Sequence, residues 1–447
     1  MSALQQVFWD QACAAQLSDD ALLGAMARFE GALALASVAP GFVPDAAAKT
    51  IAGVAGAVRF DAAAIAAAAR LSGTLTLPLV KALTEQVAAV SEEAARYVHF
   101  GATSQDVMDT GLALCLVPAG ERILALSRRL GDAAAVLAKR HAKTPSVSRT
   151  LLQPGVPVPF GWKAAVWLSM VARGHAAFRR AASDARLLQL GGAGGTLSAY
   201  GEKGDALAEE LAQRLGLRRA AVTWHSTRDG LARLGAESAI LAGTAAKVAR
   251  DVSLMMQPEV GEASEPVAAG RGGSSAMPHK RNPVGCLAAM ENGLRAPALA
   301  ATLLAQLAPE HERGLGQWQG QWSTLRDLLA GTAGALAAMA EVLEGLSVDE
   351  RALRANLDRS RGLVFSENVS LHLARKLGKA AAHALTERLC EASVREGRTL
   401  ADVLRADPAA KSMRDDEIDA LFDPARTYGS AGPMIERALA DWSQALS

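Results

Sequence analysis

Five long segments rich in alanine and leucine fill the middle of this chain, and they constrain its fold more than any other feature. They cover residues 117–143, 160–190, 228–257, 284–307 and 318–346. At about 1.5 Å per residue, helices of this length span roughly 40 Å. Their apolar residues are too widely distributed around the helix for a single buried stripe. We therefore predict an all-α bundle whose helices also pack between subunits, and hence a homo-oligomer.

The helical segments on either side of this central region are shorter. Pro40-Gly41 and Ser72-Gly73 separate short helical patterns near the start, and Asp407-Pro408 and Gly432-Pro433 interrupt those near the end. Such pairs are typical of turns and helix breaks. We predict three domains: a small helical domain at 1–106, a central long-helix domain at 107–360 and a small helical domain at 361–447.

Composition excludes two broad classes of function. The 447 residues carry 47 basic and 46 acidic side chains, a net charge of +1, and aromatic residues make up only 4%. Neither a basic patch nor a set of stacking aromatics is evident, so nucleic acid is not an expected partner. The first ten residues lack a basic segment followed by an apolar one, and the apolar run 328–340 is too short to span a bilayer. We expect no export and no membrane insertion.

The cysteines argue against a metal site and against disulfides. Cys13, Cys115, Cys286 and Cys390 are far apart and form no Cys-x-x-Cys pair. A zinc site or a disulfide framework would require closer spacing. Since no set of His, Cys, Asp and Glu has metal-ligand spacing either, we predict no metal and no organic cofactor. A reducing cytoplasm is the expected location.

The run 272–283 combines glycines, paired serines, a methionine, a lysine and an asparagine. Asn282 and Pro283 read as the N-cap and the first residue of a helix. The partial positive charge and unpaired N–H groups of a helix N-terminus would favour an anion on or near the serines. An ordinary helix-entry loop would explain Asn282 and Pro283, but not the serines or the lysine.

Two other stretches have a related composition. Residues 99–106 contain glycine and clustered hydroxyls and enter a helix, although Thr103 and Asp106 could simply form a capping box. Residues 149–154 interrupt helicity and offer polar groups, although the prolines that follow would also suit a linker. Together, the three stretches place carboxylate-binding donors and a candidate base at the ends of long helices. Bundle ends from neighbouring subunits could form one pocket.

A glycine-rich segment at 191–196 has a less specific meaning. It follows a helical pattern rather than a strand, and it lacks the Lys-Ser/Thr pair of a phosphate loop. We therefore do not predict nucleotide binding there. A tight turn between helices and a backbone surface beside a ligand both remain open.

The three stretches match, in order, the three motif regions of the fumarase/aspartase superfamily, which the chain resembles from end to end. The core Ser-Ser-x-Met-Pro-x-Lys-x-Asn is highly specific. The resemblance implies a three-domain fold, a tetrameric helical core and active sites built from three subunits. It also implies that Ser275 is the catalytic base on a mobile loop and that Lys280 and Asn282 stabilise a carbanion. The residues implied to hold substrate carboxylates are Thr103, Ser104 and Gln153.

Two departures from the superfamily pattern narrow the expected chemistry. Lyases of the adenylosuccinate lyase type carry a histidine, the general acid, where this chain has Leu151, and a glutamate that orients it where this chain has Leu287. Loss of one partner alone would strand a buried polar group, which is costly. Because both are absent, we infer a reaction that needs no such acid.

The chain is similar to a cycloisomerase branch of the superfamily, in which a substrate carboxylate adds to a conjugated double bond to form a lactone. In the reverse direction a carboxylate departs, and its low reference pKa makes it a stable leaving group. An amine or hydroxide would benefit from protonation. The expected partner is thus a small tricarboxylate substrate, bound by a homotetramer with shared active sites.

Further residues are candidates for substrate binding. His99, His225 and Arg228 offer groups that could bind carboxylates, and Met277 belongs to the specific core of the 272–283 run. His225 follows a tryptophan and could equally be a packed core residue. Arg361 could close the pocket or simply cap a helix.

Two alternative functions stay open at this point. One is a different lyase of the same superfamily, such as an adenylosuccinate-lyase-like enzyme, and Leu151 with Leu287 argues against it. The other is a non-catalytic helical scaffold, since the superfamily also supplied lens structural proteins. Retention of Ser275, Lys280 and Asn282 argues against a scaffold.

Overall fold

The computed structural model describes residues 3–268 and 270–447. Helices dominate it, so the predicted all-α fold class is confirmed. In chain order they are α1 (Ala3–Gln6), α2 (Gln11–Gln16), α3 (Asp19–Ala36), α4 (Asp45–Ala57), α5 (Ala62–Ala69), α6 (Thr76–Ala88), α7 (Glu92–Ala95), α8 (Ser104–Arg140), α9 (Phe160–Asp184), α10 (Gly204–Leu215), α11 (Asp229–Met255), α12 (Val284–Ala305), α13 (Gln317–Glu344), α14 (Glu350–Asp358), α15 (Ser366–Leu377), α16 (Lys379–Glu396), α17 (Leu400–Ala406), α18 (Asp415–Leu421) and α19 (Ala431–Leu446).

The five predicted long helices are α8, α9, α11, α12 and α13. Helix α8 starts at Ser104 rather than at the predicted residue 117, so Pro118 lies inside it. Helix α9 ends at Asp184 rather than at 190, because Leu187–Leu188 pairs as a strand instead. The helices before α8 and after α13 are shorter, as the turn signals indicated.

Short strands join some of the helices. Strands β1 (Pro145–Thr150) and β2 (Gln153–Pro159) form an antiparallel hairpin. The other pairs have two residues in each strand. They are β3 (Leu187–Leu188) with β4 (Arg218–Arg219), which is parallel, and β5 (Ala263–Ser264) with β6 (Ser347–Val348), which is antiparallel.

Contacts within the chain divide it into two compact units. Unit 1 comprises the residues up to Ser127 together with Gly174–Ala246 and Ala288–Ala337; unit 2 comprises Arg128–Arg173, Lys247–Leu287 and Ala338–Ser447. Every division falls inside one of the five long helices, so each of them contributes residues to both units. The division into three sequence-continuous domains stays a prediction.

Unit 1 has a core built between its short and long helices. Met26 and Phe29 of α3 are fully buried, as are Val107 of α8 and Leu211 of α10. Apolar residues of α3 recur at helical spacing, so one face of that helix enters the core. Ser18 starts α3 by accepting the Ala21 N–H with its side chain, a standard N-cap.

Unit 2 has its own cores. One gathers buried residues of α15, α16 and α17, including Val369, Leu389 and Leu404. A smaller cluster packs Val147 of β1 against Leu357 of α14. The second cluster fixes the hairpin, which carries the predicted site residue Gln153.

Helix α8 is long and apolar enough by length and composition to cross a membrane, but 61% of its most apolar window is buried inside the protein. A mostly buried helix of this kind is typical of a protein core. Helices α4 and α5 would pass the same test only if taken together as one span, and they are bent by 110° at their junction.

Candidate active site

The stretch from His99 to Ser104 forms a strained turn that ends at the N-terminus of α8. His99 has φ 60° and Gly101 has φ 74°, both in the left-handed region. A Cβ at Gly101 would lie 2.5 Å from the Tyr200 ring, and the Tyr200 hydroxyl donates to the Phe100 carbonyl at 2.6 Å. Strain of this kind persists where surrounding contacts hold it, often at functional sites. The turn presents Thr103 and Ser104, both half-buried.

Asp106 ties this turn to the glycine-rich segment at 191–196. Its carboxylate is fully buried and accepts the N–H groups of Thr103 at 3.0 Å and of Gly191 and Gly192 at 2.9 Å each. The bond to Thr103 is half of the predicted capping box. The glycines thus form a tight turn that brings two backbone donors to one carboxylate.

Two predicted substrate-binding residues, His225 and Arg228, require correction. His225 is 5% exposed and places Nε2 2.7 Å from Asp106 Oδ1. Arg228 is 2% exposed; its guanidinium bonds Asp109 at 2.7 and 3.0 Å and also Gln321. Both side chains are enclosed and already paired with carboxylates of α8, so they are placed to hold that helix rather than to face a ligand.

His99 keeps a role consistent with carboxylate binding. Its Nδ1 lies 2.7 Å from Glu30 Oε1; the Glu30 side chain is fully buried, whereas that of His99 is 23% exposed. Burial works against protonation of His99, but the charge and the hydrogen bond of Glu30 outweigh it and raise the pKa of the imidazole above its usual range. A partly exposed imidazolium is thereby favoured.

Sequence reasoning missed Arg313, which contacts the predicted site. Its Nη1 donates to Thr103 Oγ1 at 2.9 Å, so the Thr103 hydroxyl is held by a cation. The residue lies in the segment between α12 and α13, within the run Glu310-His311-Glu312-Arg313. That dense set of charges between a proline and a glycine was the available signal.

In unit 2, the hairpin carries Gln153 beside two unusual turn residues. Leu151 and Leu152 connect the strands with φ values of 53° and 65°, and their side chains are 97% and 75% exposed. Gln153 is also exposed. The prolines after Gln153 would also suit a linker, but the structure has an antiparallel hairpin here.

Buried charges hold this hairpin in place. Arg149 makes a bidentate ion pair with Glu262 at 2.8 and 2.6 Å, and the Glu262 side chain is fully buried. Asn356 donates to the same carboxylate at 2.8 Å. Lys163 donates to the Val147 carbonyl at 2.9 Å, and burial lowers its pKa to about 8. Arg149 is thus a structural residue of the second motif region.

The run 272–283, hereafter the signature loop, is closed at its base by backbone. The Asn282 N–H donates to the Gly272 carbonyl at 2.8 Å, and the Asn282 side chain donates to Gly273 at 3.4 Å. Gly272 has φ 67°, and a Cβ there would lie 2.5 Å from the Asn282 carbonyl. The predicted catalytic residues Ser275 and Lys280 are exposed on the loop, as is Met277.

The helix that follows the loop begins differently from the prediction. The Pro283 carbonyl accepts the Leu287 N–H at 2.9 Å, so Pro283 and not Asn282 is the N-cap residue. The first-turn N–H groups of Gly285 and Cys286 bond to the buried carboxylate of Glu265 at 3.1 and 2.8 Å. The helix N-terminus is therefore occupied by a side chain of the protein, and it does not offer the unpaired N–H groups predicted for an anion on Ser275.

Arg361 remains one of the predicted site residues of unit 2. It is exposed, has φ 50°, and its carbonyl accepts the Leu400 N–H at the start of α17. The backbone therefore fixes its position while the side chain stays accessible. Its role in substrate binding stays a prediction.

The sequence-predicted residues therefore fall into two sets. Unit 1 carries His99, Thr103, Ser104, His225 and Arg228, and unit 2 carries Gln153, Ser275, Met277, Lys280, Asn282 and Arg361. Across residues 3–268 and 270–447, no group of three or more His, Cys, Asp and Glu side chains is arranged to hold a metal ion.

Comparison with known proteins gives matches along the whole chain. The lyase family matches residues 5–298, and the adenylosuccinate lyase C-terminus family matches residues 362–438. The 3-carboxy-cis,cis-muconate cycloisomerase of Bradyrhizobium diazoefficiens is 46% identical, covering 95% of this chain and 94% of that protein. The nitrosuccinate lyase of Streptomyces davaonensis is 41% identical, covering 95% and 91%.

A solved structure also aligns from end to end. The crystal structure of the 3-carboxy-cis,cis-muconate lactonizing enzyme from Pseudomonas putida matches with a TM-score of 0.94 and 40% identity, covering 100% of both chains. The chain is an enzyme that belongs to the lyase family of the fumarase/aspartase superfamily.

Proposed function

We propose that this enzyme is a cycloisomerase that converts 3-carboxy-cis,cis-muconate to 4-carboxymuconolactone, in the protocatechuate branch of the β-ketoadipate pathway. The observation that carries the proposal is the hairpin tip. Leu151 stands where related lyases carry their general acid, and it is an exposed alkyl group with no capacity to protonate a leaving group. Whole-length similarity to enzymes named for this reaction supports the same choice.

Substrate binding precedes the chemistry. Thr103, Ser104 and Gln153 orient the tricarboxylate so that one of its carboxylates lies against the conjugated double bond. Because nucleophile and acceptor belong to one molecule, holding the reactive conformer raises their effective concentration. The carboxylate oxygen then bonds to the alkene carbon, and the electron pair of the double bond moves onto the carbon next to another carboxylate.

The signature loop stabilises and quenches this carbanion. Lys280 and Asn282 stabilise the charge as it spreads into the neighbouring carboxylate, acting as preorganised donors. The Ser275 hydroxyl then donates its proton to the carbanion carbon, and solvent returns a proton to the serine. In the reverse direction, Ser275 is the base that removes this proton.

The capping of α12 by Glu265 changes how the Ser275 alkoxide must be stabilised. The first-turn N–H groups of that helix are already bonded to Glu265, and Ser274 Oγ accepts the Met277 N–H at 3.1 Å. We therefore assign the stabilisation of a Ser275 anion to the Lys280 ammonium. Its exposed ammonium lies on the same loop, five positions along the chain from Ser275.

The decisive experiment follows the diene absorbance of 3-carboxy-cis,cis-muconate. Wild-type protein should remove the band as the lactone forms, whereas Ser275→Ala should abolish the change and retain the wild-type melting temperature. Ser274→Ala is the matched control on the same loop and should keep most of the activity. A folded wild-type protein that leaves the diene intact would refute the proposal.

A second candidate function is elimination from a succinate derivative that bears an anionic leaving group. The observation in its favour is the 41% identity to an enzyme named nitrosuccinate lyase. Nitrite, like a carboxylate, leaves without being protonated, so Leu151 does not separate the two reactions. Parallel assays with nitrosuccinate and adenylosuccinate decide: the cycloisomerase proposal requires that 3-carboxymuconate be the substrate with the highest kcat/KM.

We propose that the two residue sets complete one another between copies in a homotetramer. One exposed face of α12 carries two leucines seven residues apart: Leu287 and Leu294 are 48% and 76% exposed. An apolar stripe of this kind in a soluble enzyme is typical of an interface. Light scattering should give a tetramer for the wild type and smaller species, with lost activity, for Leu294→Glu. We place the tetramer in the cytoplasm, consistent with four unpaired cysteines.

A further inference from the structure

Among residues 3–268 and 270–447, the Arg313 guanidinium is bonded to uncharged groups alone. Its Nη1 donates to the Thr103 hydroxyl at 2.9 Å, and its Nη2 donates to the carbonyls of Gly192 and Ala193 at 2.8 and 2.9 Å. All four residues belong to unit 1. These bonds use fewer than the five N–H donors of a guanidinium. They fix its plane and leave donors for another acceptor.

The charge of Arg313 is also unbalanced, in contrast to the charges of Arg228 and Arg149. Arg228 is paired with Asp109 and Arg149 with Glu262. No carboxylate oxygen of residues 3–268 or 270–447 lies within 4.0 Å of an Arg313 guanidinium nitrogen, the distance that defines an ion pair. A guanidinium that is oriented but unpaired is suited to bidentate recognition of a carboxylate.

Its surroundings favour an anion next to Thr103. Thr103 directly precedes α8, and a helix of this length carries partial positive charge at its N-terminus. The acidic residue closest to Thr103 in the sequence, Asp106, is fully buried. Its carboxylate oxygens are already bonded to three backbone N–H groups and to His225. The exposed side of the Thr103 turn thus combines a hydroxyl, a cation and a helix N-terminus.

The three carboxylates of the proposed substrate differ in what they need. The attacking carboxylate must keep a lone pair free, and the one beside the carbanion gains charge during the reaction. The third keeps its charge throughout, so a permanent ion pair with it strengthens binding of ground state and transition state alike. An always-protonated arginine suits this third carboxylate best.

We propose that Arg313, together with the Thr103 hydroxyl, binds the carboxylate that takes no part in the bond changes and so selects tricarboxylates over dicarboxylates. This role rests on the proposed function for the identity of the substrate. Arg313 is a specificity residue that acts by direct contact. Its loss therefore raises KM and leaves kcat within a few-fold.

The test compares Arg313→Met and Arg313→Lys with the wild type. Loss of a charge-assisted pair should raise KM for 3-carboxymuconate roughly 10- to 100-fold in the methionine variant. The lysine variant, which keeps the charge but not the planar fork, should be intermediate. Arg233→Met removes an arginine that is 70% exposed and paired only with Asp229, and it should match the wild type. A reduced kcat at unchanged KM would overturn the proposal.

Calorimetry with two inert ligands separates this inference from the proposed reaction. Tricarballylate is glutarate with one additional central carboxylate. We expect Arg313→Met to weaken tricarballylate binding by roughly 10- to 100-fold, because one charge-assisted bond is lost. The affinity for glutarate should stay unchanged. Equal weakening of both ligands, or of neither, would overturn the role of Arg313. If the wild type binds tricarballylate in this manner but does not consume 3-carboxymuconate, only the proposed reaction fails.

Discussion

The carboxylate of Glu265 accepts the backbone N–H of Cys286 at 2.8 Å and thereby caps the helix that follows the signature loop. The same carboxylate accepts the Gly285 N–H and lies 3.4 Å from Arg271, which precedes the loop and also binds Glu341. One buried acid thus connects the two ends of the loop that carries Ser275.

Replacing Glu265 by alanine should destabilise the protein and lower kcat. The N–H groups of Gly285 and Cys286 would be left unpaired in a buried position, at a cost of about 1–3 kcal/mol. Glu265→Gln keeps one acceptor oxygen and should lose less. Chemical denaturation and limited proteolysis within 272–282 measure the effect. Glu291→Ala, which removes a half-exposed ion pair with Arg295, is the control. If Glu265→Ala were as stable as Glu291→Ala, the capping role of Glu265 would be contradicted.

Asp106→Asn should weaken the hydrogen bonds that join the Thr103 turn to the glycine-rich segment. The amide has one oxygen in place of two, so it cannot accept the N–H groups of Thr103, Gly191 and Gly192 together. We expect a loss of about 2–3 kcal/mol in unfolding free energy and a large fall in kcat/KM. The exposed Asp20→Asn serves as control and should change stability by less than about 0.5 kcal/mol. A stable, active Asp106→Asn protein would show that the turn is held by other contacts.

The pair of His99 and Glu30 predicts a specific dependence of stability on pH. The folded-state pKa of His99 is raised by Glu30, against an unfolded value of about 6.5. The stabilisation is therefore complete below about pH 6.5 and is lost as the pH rises through the higher folded-state pKa. The melting-temperature difference between wild type and Glu30→Gln should be largest near about pH 6 and shrink toward about pH 9. A difference that grows with pH would contradict this sign.

The three buried cysteines should be inert to alkylation in the native enzyme. Burial raises the pKa of Cys13 and of Cys115 to about 12, and it raises that of Cys286 as well. Since the thiolate is the reactive form, iodoacetamide at about pH 8 should modify these residues only after unfolding. Peptide mass spectrometry should find Cys390, which is half-buried, modified first. Early labelling of Cys13 would contradict the burial.

The long helices were predictable because their signal is local and repeated. Alanine- and leucine-rich segments of this length have few alternatives to a bundle, and the ends of α11, α12 and α13 fall within two residues of the predicted ones. The β1–β2 hairpin was not predictable in the same way. Its turn is Leu151-Leu152 and its second strand contains prolines, so both local signals point away from the observed structure.

The supporting contacts of the candidate site could not be found from spacing. Glu265 meets Cys286 and Arg313 meets Thr103 only after folding, and no local pattern links residues that far apart in the chain. The same limit explains the correction for Arg228. A charged side chain close to a motif suggests a ligand contact, whereas the fold places it against the buried Asp109.

The hairpin tip should show a trade-off between stability and activity. Both Leu151 and Leu152 adopt positive φ, which costs an L-residue about 1–2 kcal/mol. Asn-Gly is the preferred sequence for a two-residue turn with positive φ at both positions. The double substitution Leu151→Asn with Leu152→Gly should therefore raise the unfolding free energy by about 1–2 kcal/mol. It should also lower kcat/KM, because it removes two exposed alkyl groups that we expect to contact substrate or a neighbouring copy.

Leu151→Ala separates the two effects of that double substitution. Alanine keeps the unfavourable φ but removes the exposed alkyl group, so it should reduce kcat/KM without the gain in stability. Denaturation curves should be compared at a protein concentration where light scattering gives the same oligomeric state for all variants, because dissociation would otherwise enter the measured free energy. If Asn-Gly destabilises the turn while full activity persists, the tip is neither strained nor functional. If Asn-Gly stabilises the protein and activity falls in both variants, the strain at Leu151 and Leu152 is retained for the reaction.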